Sequence, residues 1–171
     1  MNPLKIILLE TIGSRAQMDL INMMSQEHNG HSWVLQYHDH HSGFAHVAAL
    51  QNTTSLEVGE ELMKIMSTVV VPEILQSDKS AEFLGACIKL INKHFPEVHV
   101  VKGRSHHPQS QGGIEHGNAP FKEALQKWMQ TNNYNGPLGI YYMNAGMNQC
   151  LSHVKGDMSP YSIYYGQKVR S

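Results

Sequence analysis

Short alternating runs of apolar and polar residues fill the first part of the chain, and apolar residues at helical spacing follow them. Residues 18–23 read as a first strand, and residues 33–38 and 44–50 as a hairpin joined by the polar turn His40-His41-Ser42-Gly43. Thr54-Ser55-Leu56-Glu57 then has the pattern of a capping box, and Val58, Leu62, Ile65 and Val69 recur on one helical face until Pro72 ends it. Residues 73–77 suit a fourth strand. A second helix is expected over 81–94, with Phe83, Cys87, Leu90 and Ile91 on one side, and a fifth strand over 98–101. Residues 102–113 have no periodicity and read as a loop. A helix over 114–130 follows, with Phe121, Leu125, Trp128 and Met129 as its apolar side. Residues 138–151 have helical character that Gly139 and Gly146 weaken. Three strands in a meander, then strands separated by helices, predict an α/β fold with a mixed five-stranded sheet flanked by helices.

Against that pattern three acids stand out. Asp19 lies inside the apolar run Gln17-Met18-Asp19-Leu20-Ile21, and Asp78 closes the run Ile74-Leu75-Gln76-Ser77. Glu115 opens a helix just after His107-Pro108-Gln109-Ser110-Gln111-Gly112-Gly113. A carboxylate in or beside an apolar strand is costly unless it is paired, solvated at the strand end or bound to a metal. If the first strand lies beside the fourth, Asp19 and Asp78 face each other and Glu115 arrives from the helix. Three such carboxylates can hold two Mg²⁺ or Mn²⁺ ions ~4 Å apart for phosphoryl transfer. Asn118 and Lys122 share a helix face with Glu115 and suit a phosphate backbone. Gln109 and Gln111 are placed to read or wedge DNA ends.

Each acid also has a plainer reading. Asp19 can be a strand-edge acid, Asp78 a helix N-cap, and Glu115 a first-turn acid that complements the helix dipole. Asp39 is a rival first aspartate, but it ends the hairpin strand rather than lying beside the fourth strand. His38, His40, His41 and His46 invite a zinc site that the absence of nearby cysteines weakens. Trp33 and Trp128 are expected in packing roles.

Composition narrows the class. A chain of 171 residues with 41% hydrophobic and 16% charged residues is globular. No apolar run approaches the ~20 residues that span a membrane. Cys87 and Cys150 share no CxxC spacing and read as core residues of a reduced intracellular protein. With 13 Lys and Arg against 14 Asp and Glu, the net charge is −1, so attraction to phosphates has to be local.

The chain resembles the catalytic core of retroviral and gypsy-type retrotransposon integrases. The matching pieces are Ser14-Arg15-Ala16-Gln17-Met18-Asp19-Leu20-Ile21, Ile74-Leu75-Gln76-Ser77-Asp78 and Glu82-Phe83. The most specific is His107-Pro108-Gln109-Ser110-Gln111-Gly112-Gly113-Ile114-Glu115, followed by Asn118 and Lys122. Ser159-Pro160-Tyr161 with Gly166 completes the set. The run around Glu115 is most similar to integrases captured as host genes, such as those in KRAB-domain-containing proteins.

The resemblance implies a ribonuclease-H-like fold over residues 14–171 after a linker at 1–13. It also implies a metal triad of Asp19, Asp78 and Glu115, with Mg²⁺ or Mn²⁺ as cofactor. The implied activity is DNA 3′-end processing and strand transfer. DNA and further copies of the chain are the implied partners, with a nuclear location.

Some positions depart from the family. Lys79-Ser80 stands where Asn-Gly is usual, and His116 where a basic residue is common. Gly117 and Pro120 fall inside the helix, and an interior Pro costs ~3 kcal/mol. Neither the zinc-binding domain nor the basic domain that flank such cores is present in this stretch. These departures, with the low net charge, suit a second reading as a non-catalytic nucleic-acid or protein interaction module. A third reading is a ribonuclease-H-like nuclease without strand transfer; the Pro-Gln-Ser-Gln-Gly run favours the integrase.

Overall fold

The computed structural model describes residues 11–23, 30–77, 83–102, 123–124, 127–128, 130–131 and 137–169. Five strands form one sheet: β1 (Arg15–Asn22), β2 (Trp33–Asp39), β3 (Ala45–Leu50), β4 (Ile74–Ser77) and β5 (His99–Lys102). Their order is β3-β2-β1-β4-β5, so β1 is central. β1–β2 and β2–β3 are antiparallel, while β1–β4 and β4–β5 are parallel. This is the mixed sheet expected from the sequence, with the first strand beside the fourth.

The helices are α1 (Ser55–Met66), α2 (Ala86–His94), α3 (Leu138–Gln149) and α4 (Pro160–Tyr165), with a 3₁₀ turn at His153–Lys155. Residues 123–124, 127–128 and 130–131 are also helical.

Period-two alternation divides the sheet into two faces. Ala16, Met18, Leu35, Tyr37, Ala48, Leu50 and Leu75 point to one face and pack with Val58, Leu62 and Ile65 of α1 and Cys87 and Ile91 of α2. Ile21, Val34 and Val47 point to the other and meet Ile140 and Met143 of α3. Trp33 packs against the first cluster and Trp128 against the second, in the packing roles expected of them.

β3 is an edge strand, and α3 covers part of its exposed backbone. Asn144 Nδ2 and Asn148 Nδ2 both donate to the Ala45 carbonyl, at 2.9 and 2.8 Å. Ala45 N donates back to Asn148 Oδ1 at 2.9 Å.

Several boundaries differ from the sequence reading for local reasons. β1 starts earlier, at Arg15 rather than residue 18, because Arg15 and Gln17 belong to a polar part of the sheet face that a hydrophobic pattern does not reveal. α1 ends at Met66, well before Pro72. The Ser67 and Thr68 hydroxyls donate to the carbonyls of Lys64 and Ile65 and close the last turn. α2 starts at Ala86 because Gly85, at φ 56°, lies in the left-handed region. Ser55 at the start of α1 also caps α2: its hydroxyl accepts from Cys87 N and donates to the Leu84 carbonyl.

The capping box forms in altered shape. Thr54 Oγ1 accepts from Glu57 N, but the Glu57 carboxylate takes the amides of Gln51 and Asn52. Cys87 is buried as expected. Cys150 is exposed, contrary to the core role expected of it, because it lies just past the end of α3. Of the loop expected over 102–113, Lys102 instead continues β5; residues 103–113 and the start of the helix after them lie outside the described residues.

Two glycines give opposite expectations. A Cβ on Gly59 would stand 3.0 Å from the Cys87 Cα, a backbone atom that cannot yield, so α1 and α2 approach closely there. A Cβ on Gly146 of α3 would meet nothing. Gly59→Ala is expected to destabilise by about 1–3 kcal/mol. Gly146→Ala is expected to stabilise by about 0.5–1 kcal/mol. Urea unfolding of both variants checks the pair of signs.

Candidate active site

The polar part of the sheet lies at the start of β1, on the same face as Ile21. Arg15, Gln17 and Asp19 alternate onto it, with Gln76 of β4 beside Gln17 and with Gln36 and His38 of β2 opposite Asp19 and Gln17. Asp19 is 7% exposed and Gln17 is 3% exposed. Gln17 Nε2 donates to Asp19 Oδ2 at 2.9 Å. Gln17 Oε1 lies 3.2 Å from His40 Nε2. Arg15 Nη1 donates to Gln76 Oε1 at 2.8 Å, tying β1 to β4 at the same face. The last β1–β4 pair is Met18 with Ser77, so Asp19 lies one position beyond the register as β4 ends.

Of the acids and polar residues singled out in the sequence, Asp19 is described, and it sits buried on the central strand. Asp78, Glu115, Gln109, Gln111, Asn118 and Lys122 lie outside the described residues. Among the described residues no group of three or more His, Cys, Asp or Glu is arranged to hold a metal ion.

The rival Asp39 has a structural job. Its Oδ1 accepts from Gly13 N at 2.9 Å, and its Oδ2 accepts from Ser42 N and Ser42 Oγ, both at 2.7 Å. The buried carboxylate thus holds the β2–β3 turn and anchors the approach to β1. Sequence reasoning passed over Gln17, Gln36 and His40 as parts of the site. The Arg15-Ala16-Gln17-Met18-Asp19 alternation is the signal that could have found them, since it puts three polar side chains on one face of a central strand.

Two histidines at the turn have pKa values shifted by their surroundings. The His38 and His40 rings stack at 5.1 Å. Burial, followed by the neighbouring His40, pushes the His38 pKa down to about 4. Burial, followed by the Arg15 guanidinium, also lowers His40. Lys155 reaches the same turn and donates to the His41 carbonyl.

No family model matches the chain. KRAB-A domain-containing protein 2 of Homo sapiens is 28% identical over 167 residues, which cover 97% of this chain and 34% of that protein. The chain therefore spans about a third of the length of that curated relative. The catalytic core domain of BIV integrase superposes with a TM-score of 0.72 at 20% identity, over 90% of this chain and 95% of that one.

The fold is that of a retroviral integrase catalytic core. An HTLV-2 integrase catalytic core in complex with magnesium, in a trimeric form, has a TM-score of 0.71 at 17% identity and covers 89% of this chain and 96% of that one. A chain of a simian T-cell lymphotropic virus intasome in complex with PP2A regulatory subunit B56 gamma has a TM-score of 0.76 at 15% identity, over 93% of this chain and 56% of that one. The integrase-core resemblance read from the motifs is thus met in the fold, ribonuclease-H-like sheet included. KRAB-A domain-containing protein 2 agrees with the likeness to KRAB-domain-containing proteins.

The depressed His38 pKa has a definite sign in stability. The folded ring stays neutral while the unfolded ring takes up a proton below about pH 6.5. The stabilisation is complete above that pH and is lost as pH falls toward 4, by up to roughly 3 kcal/mol. Urea midpoints between pH 7 and 4 are expected to fall less steeply for His38→Gln than for the wild type.

Proposed function

We propose that the chain is an integrase-like polynucleotidyl transferase core acting on DNA. Asp19, Asp78 and Glu115 would be its metal ligands. The observation that carries the reading is a buried carboxylate on the central strand, at the end of the parallel β1–β4 register, in an integrase-core fold. Asp78 follows Ser77, the last residue of β4, directly in the chain. An all-carboxylate donor set suits a hard cation, and the magnesium held by the HTLV-2 integrase core favours the same assignment. Mg²⁺ or Mn²⁺ bound there would activate a water or a DNA 3′-hydroxyl and stabilise the leaving oxygen.

The chain's own share of the work is placement. Asp19 is held by a rigid central strand, and Gln17 fixes one of its oxygens. Glu115, Asn118 and Lys122 would line up a phosphate backbone, and Gln109 and Gln111 would engage the DNA end. The reaction would be hydrolysis at a DNA 3′ end, then attack of that 3′-hydroxyl on a target phosphodiester.

Self-association is part of the reading. Leu138 and Tyr142 of α3 and Leu151 beyond it are exposed apolar side chains, and the related chains form a trimer and an intasome. No helix among the described residues is long and apolar enough to cross a membrane, and we place the protein in the nucleus on the reaction proposed.

A second reading keeps the fold without the chemistry, as an interaction module. It is favoured by the net charge of −1, which gives no general attraction for DNA. A labelled branched DNA with Mn²⁺ separates the two. Strand transfer or disintegration by the wild type, falling to background in Asp19→Asn and in Glu115→Gln, is the expected result. No turnover by folded wild-type chain, also after a zinc-binding donor domain is added, would favour the module.

A further inference from the structure

An amide side chain between a carboxylate and an imidazole has a forced direction. A carboxylate only accepts hydrogen bonds, so the Gln17 group facing Asp19 Oδ2 has to be the NH₂. The amide oxygen is then left facing His40 Nε2, and the ring nitrogen has to carry the proton. Burial, followed by the Arg15 guanidinium, lowers the His40 pKa and so favours the neutral ring, and the contact to Gln17 places an N–H on Nε2.

The ring itself is held from two sides. His40 N donates to the Arg15 carbonyl at 3.0 Å, which ties its backbone to the first residue of β1. The His38 ring stacks on it, with the two planes 17° apart. Gln17 is 3% exposed, so water does not replace either partner cheaply.

We propose that Gln17, oriented by His40, is a positioning residue that fixes the rotation of the Asp19 carboxylate for cation binding. The inference rests on the reading of Asp19 as a metal ligand. The order of the relay is His40 N–H to Gln17 amide to Asp19 carboxylate, and it runs along one face of β1. A carboxylate that rotates freely has to be ordered when a cation arrives. One whose Oδ2 is already held by an N–H does not, and it presents a defined edge. Hydrogen-bond partners of metal ligands act in this way and typically change metal affinity 10- to 100-fold.

The test uses the whole chain and Mn²⁺ as the probe, with affinity from calorimetry and thermal midpoints recorded alongside. Asp19→Asn is expected to abolish binding. Gln17→Met, which keeps volume and removes both hydrogen bonds, is expected to weaken binding about 10-fold with a folded thermal transition. His40→Ala is expected to weaken it in the same direction, and His40→Gln, which still offers an N–H donor, to restore it. In the wild type, the Gln17 side-chain amide resonances are expected to shift on Mg²⁺ addition together with the Asp19 backbone amide.

Mn²⁺ binding that Asp19→Asn removes but Gln17→Met and His40→Ala leave at the wild-type value would overturn the positioning role and leave the metal reading standing. A wild type that binds no Mn²⁺, or an Asp19→Asn variant that binds as well as the wild type, would remove the metal reading and the relay with it. Should Gln17→Met fail to fold, the wild-type resonances decide. An Asp19 amide that moves with Mg²⁺ while the Gln17 side chain does not would overturn the proposal.

Discussion

The burial of one carboxylate on the central strand constrains much of what surrounds it. A strand covered on both faces is the least favourable place for a charge, because water is excluded and the dielectric is low. Asp19 is tolerated there because the face it points to is polar at that end. Gln17 donates to it, Gln36 lies opposite it, and Arg15 and Gln76 pair beside it. Two residues further along β1, the same face turns apolar at Ile21 and is sealed by α3. β1 is therefore apolar on one face from Ala16 to Leu20, and polar then apolar on the other. That division separates a polar end of this sheet face from an apolar end.

The turn between β2 and β3 lies at the polar end. Asp39 draws Gly13, Ser42 and the turn backbone together, and His40 is carried back against β1. The two buried carboxylates have different surroundings. Asp39 accepts from three close donors of the scaffold, and Asp19 lies one position beyond the last β1–β4 pair, Met18 with Ser77. Phe44 extends the scaffold outward, stacking on Tyr164 at 4.8 Å and so binding α4 to the same turn.

Much of the fold was legible in the chain. The mixed five-stranded sheet followed from element order, which allowed the first strand to lie beside the fourth without fixing the full strand order. The Thr54 cap and the Val58, Leu62, Ile65 face placed α1. The ends were less legible, because hydroxyls at Ser67 and Thr68 and a left-handed Gly85 close helices without any change in hydrophobic pattern. Within the candidate site, Asp19 stood out because an acid inside an apolar run is unusual, and the structure places it buried on β1. Gln17 and His40 did not stand out, since an amide among apolar neighbours looks ordinary until the sheet shows which side chains share its face. Cys150 was misread because burial of a cysteine depends on where the helix ends, which composition does not reveal.

On the function proposed, a cation site lies at Asp19, where β1 and β4 run parallel. Substoichiometric Mn²⁺ added to ¹⁵N-labelled chain tests it directly, since the paramagnetic ion broadens nearby amides. Broadening centred on Asp19 and on Ser77 at the end of β4, absent in Asp19→Asn, is the predicted result. Broadening centred on the histidines of the β2–β3 turn, or none at either place, would contradict it.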